Sequence, residues 1–184
     1  MPTHTTDALA SAYLADTLRS FQMYKRLGEG AIAQVTDDAD LHRMIDPGSN
    51  SIAIIVQHLA GNLRSRFTDF LTTDGEKPDR DRDGEFEMPV HTSREEILAR
   101  WQSAFSIALT SIEALTPADL VRTVHIRSEP FLVVEALNRL GTHLAYHVGQ
   151  IVYVARHLAG DRWTSLSIPK GQSRDHNKGA FKSL

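Results

Sequence analysis

Gly141-Thr142-His143-Leu144-Ala145-Tyr146-His147-Val148-Gly149-Gln150-Ile151 sits inside the longest helix-compatible stretch of the chain, Phe131 to about Ala159. A spacing of four places His143 and His147 one above the other on a single helix face. The rest of that stripe is apolar: Ala136, Leu140, Ile151, Val154 and Leu158. The pair is therefore expected to point into a helical core, where two polar rings need partners to offset lost hydration. A metal ion is one such partner; hydrogen bonds or water are the other.

Working outward, three further helical patterns are predicted. The first runs from about Asp7 to Leu27, with a cap near Thr5/Thr6 and Gly28 and Gly30 as its stop. Asp46-Pro47-Gly48 reads as a turn, after which a second helix starts near Ser49 or Asn50 and continues to Leu71. Ser93 and Glu96 form a capping-box pattern that opens a third helix, ended by Thr116-Pro117. Thr72 to Val90, with its Asp74-Gly75, Lys77-Pro78 and dense charges, is expected as a long exposed loop bordering a site. Val121–Ile126 alternates in a way that permits a short strand or an extended crossover, and is taken as a connection. Gly160 should stop the fourth helix, leaving Asp161–Leu184 as an extended tail. The expected fold class is all-α: a four-helix bundle with long connecting loops, residues 1–184 forming a single domain.

His58, in Ile54-Ile55-Val56-Gln57-His58-Leu59-Ala60-Gly61-Asn62, is the third candidate. Its neighbours are apolar or small, and Gly61 one turn on leaves room for close helix approach or a ligand. Inward-pointing side chains on facing helices are how bundles build metal sites. Gln150, three residues after His147, should share its face and reach a ligand or bound water, or else simply pack. Asn62 and Tyr146 are further pocket candidates, with Tyr153 beside them. No Asp or Glu lies within one turn of a candidate ligand on the stripe, so no general base is assigned; the acids of the 80s loop are left as groups that could close over the site. The remaining histidines, at 4, 42, 91, 125, 157 and 176, receive no role.

Composition narrows the chemistry. With no cysteine, thiolate ligands and Cys nucleophiles are excluded, and any metal must be held by His, Asp or Glu. A net charge of -3 offers no basic footprint for nucleic acid. Apolar runs stay well short of the ~20 residues of a membrane span. The first residues lack a basic segment followed by an apolar core, which points to the cytoplasm.

Asn50-Ser51-Ile52-Ala53 and Ile55–Asn62, taken with His143–Ile151, resemble the DinB/YfiT-like superfamily. The chain is similar more narrowly to an uncharacterised bacterial branch, through Thr68–Pro78 and Leu166-Ser167-Ile168-Pro169-Lys170-Gly171. That resemblance spans nearly the whole chain. It implies a four-helix bundle, often a homodimer, with His58, His143 and His147 on one divalent ion per chain, nickel or zinc, and water at the remaining positions. Relatives so implied include bacillithiol S-transferases, mycothiol-dependent isomerases and metal-dependent hydrolases. The expectation is a metal-dependent enzyme of the thiol S-transferase or hydrolase type, with a low-molecular-weight thiol as a partner. The alternative is a metal-dependent sensor or dimerisation module without turnover.

Overall fold

In the computed structural model, residues 3–87 and 92–172 are described. They are mostly helical, with four α-helices and one two-stranded sheet among them. Helix α1 spans Thr3–Ala33, α2 Ile52–Phe67, α3 Arg94–Glu113 and α4 Val133–Ala159. α1 packs against α3 and α4, and α2 packs against the same two. Phe21, Phe67, Trp101, Phe105, Ile151 and Leu144 meet in the shared core. None of the described helices is long and apolar enough to cross a membrane.

Two boundaries differ from the sequence expectation on α1. It begins at Thr3, ahead of the predicted cap, and runs through Gly28 and Gly30 to Ala33. Gly28 is there for contact: a Cβ at that position would lie 2.6 Å from Trp101 Cη2, inside the indole's volume. A mid-helix glycine costs about 1 kcal/mol relative to Ala. Here that cost accompanies the burial of Trp101 to 1% exposure.

The other caps follow from local chemistry. Ser51, rather than Ser49 or Asn50, caps α2 by accepting from the Ile54 N–H. Asp46-Pro47-Gly48 does form the turn before it, with Ser49 N–H donating to the Asp46 carbonyl at 3.1 Å. The reciprocal Ser93–Glu96 box opens α3 as the sequence predicts. Gly160, at φ 57°, closes α4.

The predicted connection at Val121–Ile126 is instead half of a β-hairpin. Strand β1, Thr123–Ile126, pairs antiparallel with β2, Glu129–Leu132, so that Val124 faces Phe131 and α4 begins at Val133 rather than Phe131. Arg127 and Ser128 form the two-residue turn, both at positive φ (57° and 64°). That is the backbone twist two-residue hairpins favour, supplied without glycine. Asp74 fastens this turn to the loop after α2: its carboxylate accepts from the Arg127, Ser128 and Glu76 N–H groups at 2.7–2.9 Å.

The stretch after α2 is only in part the exposed loop expected. Gly75 and Glu85 are buried, and the Arg80 side chain is 2% exposed. A short 3-10 turn, Gly84–Phe86, lies against α2. Nor is Asp161–Gln172 a free extension, because Trp163 and Leu166 pack on the core and Thr164 bonds Gln34. The rest of the predicted tail, 173–184, and positions 88–91 lie outside the described residues.

Candidate metal centre

α2 and α4 carry the three histidines to one point. His58 and His147 are buried, at 3% and 7% exposure, while His143 lies half-buried at the cavity wall. One ring nitrogen from each lies within 4.8 Å of the other two, a set that could hold a metal ion. The ring centroids are 5.2, 4.8 and 4.6 Å apart. His58 Nε2 and His143 Nε2 are 3.2 Å from each other.

The outer ring nitrogens are held by acceptors. His58 Nδ1–H donates to Glu85 Oε2 at 2.8 Å, and His147 Nδ1–H donates to Gln150 Oε1 at 2.8 Å. A proton on Nδ1 leaves the Nε2 lone pair free, so in both rings the tautomer that satisfies the outer bond suits metal ligation. His143 can donate Nε2–H to His58 Nε2, or, as the other tautomer, turn its own lone pair toward the same point. A cation there favours the second arrangement.

Charge follows the same logic. Burial, then the neighbouring His147, His58, Arg80 and Arg66, lower the His143 pKa from 6.5 to about 3. Burial also lowers His147, against the Gln150 hydrogen bond. At neutral pH these two rings are neutral, the form in which imidazole binds metals. Desolvation works against the charge of Glu85, but hydrogen bonds from Arg80 and His58 outweigh it and hold its carboxyl below the usual range.

Glu85 is in turn fixed by Arg80, whose Nε and Nη2 donate to its two oxygens at 2.8 Å each. Arg80 Nη1 has no hydrogen-bond partner, although Glu76 Oε1 lies 3.6 Å away at ion-pair distance. Glu76 also accepts from Arg66 and Arg127. A continuous chain of charges therefore runs from His58 through Glu85, Arg80 and Glu76 to the hairpin turn. Phe86 covers the His58 ring, with centroids 4.5 Å apart.

All three predicted histidines converge, and Gln150 bonds His147. Asn62 and Tyr146 line the cavity that opens beside the trio; Tyr146 is 64% exposed and meets the His147 ring edge-on. Tyr153 is exposed and takes no part in that cavity. His42 bonds the Thr92 carbonyl, whereas His125 and His157 are exposed. His91, His176 and the side chain of His4 lie outside the described residues.

Sequence reading missed Glu85 and Arg80 as individuals. The one signal for Glu85 was Gly61, whose missing side chain makes the space the carboxylate fills: a Cβ there would lie 2.6 Å from Glu85 Cδ.

No curated protein matches this sequence. A family described as Protein of unknown function (DUF1572) matches residues 8–172. That match takes in the three histidines, Glu85 and Gln150 together, and the protein belongs to the DUF1572 family.

Proposed function

We propose that this protein is a DinB-like four-helix bundle, folded as one domain, in which His58, His143 and His147 bind one divalent ion, nickel or zinc. The observation that carries the reading is the convergence of three ring nitrogens within 4.8 Å, with the outer nitrogens of His58 and His147 held by Glu85 and Gln150. Carboxylates and amides placed behind metal-binding imidazoles fix ring orientation and raise ligand basicity. Three protein ligands, with no fourth grouped with them among the described residues, are the pattern of catalytic rather than structural zinc sites.

An ion held there would supply Lewis acidity, lowering the pKa of a bound water toward ~7 and favouring the thiolate form of a bound thiol. The chain's own contribution is orientation and polarity. Glu85 and Gln150 hold two rings in one tautomer, Phe86 shields His58 from solvent, and the cavity beside His143 gives a substrate access. This supports an enzyme of the thiol S-transferase or hydrolase type; action in the cytoplasm as a homodimer is proposed from the sequence and its resemblance. Thiol transfer is the first choice by resemblance.

Cobalt substitution tests this reading. Small thiols should perturb the visible spectrum of the cobalt form, and conjugation of a low-molecular-weight thiol to an electrophile should require the ion. Hydrolysis without any thiol would select the hydrolase branch. A cobalt spectrum insensitive to both thiols and anions would leave a sensing or dimerisation module instead.

A further inference from the structure

The cavity of about 440 Å³ beside the histidines carries an excess of positive charge. Arg66, Arg80, Arg82, Arg127 and Arg139 all line it, along with Asn62. Arg66, Arg80 and Arg127 are committed to the carboxylates of Glu76 and Glu85. Arg82 and Arg139 are not so held. The carboxylate near Arg82 belongs to Asp83, 3.8 Å away on a side chain that is 99% exposed, and Arg82 otherwise sits over the Phe86 ring. Arg139 has no carboxylate partner among the described residues and rests over Phe131.

Asn62 gives an independent sign of a ligand. It is 7% exposed, it lines the same cavity, and its Oδ1 has no hydrogen-bond partner. Leaving a buried acceptor unsatisfied is costly, so such groups usually meet something that can donate. Planar guanidiniums recognise carboxylate and phosphate oxygens in pairs, and the cavity volume suits a small molecule.

We propose that this cavity binds a small organic anion, whose carboxylate or phosphate group is taken by Arg82 and Arg139 and whose hydroxyl or N–H group satisfies Asn62. The ion-paired arginines form a fixed positive wall behind it. As a binding site the cavity stands independently of the ion; as the substrate class of the histidine centre, the anion rests on the metal reading above.

Calorimetric titration of the full-length protein, supplemented with zinc or nickel and assayed for metal content in the same sample, tests the proposal. Succinate and inorganic phosphate are the probes, and succinamide is the uncharged control. At least one anion should bind and succinamide should not; the anion that binds identifies carboxylate or phosphate as the recognised group. Arg82→Ala/Arg139→Ala should weaken that binding at least tenfold, with metal content and unfolding temperature unchanged. Failure of both anions to bind folded wild type, or equal binding by the double variant, would overturn the anion site and leave the metal reading intact. Arginine-dependent anion binding by a protein that takes up no metal would do the reverse.

Discussion

The carboxylate of Glu85 occupies the space that a side chain at Gly61 would fill, and from there it reaches His58 Nδ1 at 2.8 Å. One missing methyl group on α2 thus sets the orientation of a ring on the same helix, by admitting an acid from the following connection. Gly61→Ala should push Glu85 away from His58. Loss of such a partner typically costs 10–100-fold in metal affinity. Competition with a chelating dye should show a weakening of that size in Gly61→Ala and in Glu85→Ala, with helical circular dichroism retained. Unchanged affinity in both variants would remove Glu85 from the site.

Gln150 bears on the other buried ring. Gln150→Ala leaves His147 Nδ1 without its acceptor and should weaken metal binding by a similar factor, while Gln150→Glu, which keeps an acceptor oxygen in reach, should restore most of it. Equal affinities for Ala and Glu at this position would mean that Gln150 only packs.

Gly28→Ala separates helix propensity from packing. Propensity alone favours Ala by about 1 kcal/mol. The new Cβ would enter the ring volume of Trp101, which is 1% exposed and cannot step aside into solvent. Overpacking of a tight core costs typically 1–3 kcal/mol, so a net destabilisation is expected in chemical denaturation. A more stable Gly28→Ala protein would contradict the close contact.

Asp119 links the α3–β1 connection to pH. Hydrogen bonds from Thr116 and Arg122 lower its pKa from 3.8 to about 2. Because the folded pKa is depressed, its contribution is fully present above about 4 and is lost as pH falls from 3.8 toward 2. Asp119→Asn keeps an acceptor for Thr116 but removes the charge at the third position of a short helical turn, and should cost about 1 kcal/mol near neutrality. The gap between wild type and variant should narrow below pH ~4. A gap independent of pH would show that the charge contributes nothing.

The histidine trio was legible because helical spacing and an apolar stripe are local properties: His143 and His147 share a face, and His58 has apolar neighbours on its own helix. The Ser93–Glu96 box was legible for the same reason. What escaped depends on contacts between distant segments. Gly28 reads as a helix stop until Trp101, 73 positions on, is seen lying across it. The hairpin turn uses Arg127 and Ser128 at positive φ, without the Asn-Gly or Asp-Gly signal that marks such turns, and it donates two hydrogen bonds to Asp74, far back in the chain. Glu85 is one of several acids in a charge run, and only the cleft at Gly61 distinguishes it from Asp81 or Asp83.

Binding of one divalent ion by the three imidazoles is open to direct measurement. Elemental analysis of protein purified without a histidine tag, after supplementation with zinc or nickel and removal of free metal, measures it directly. Wild type should carry about one ion per chain, and His143→Ala and His147→Ala proteins that keep their helical signal should carry near zero. Wild-type protein that is folded and yet retains no stoichiometric metal would contradict it.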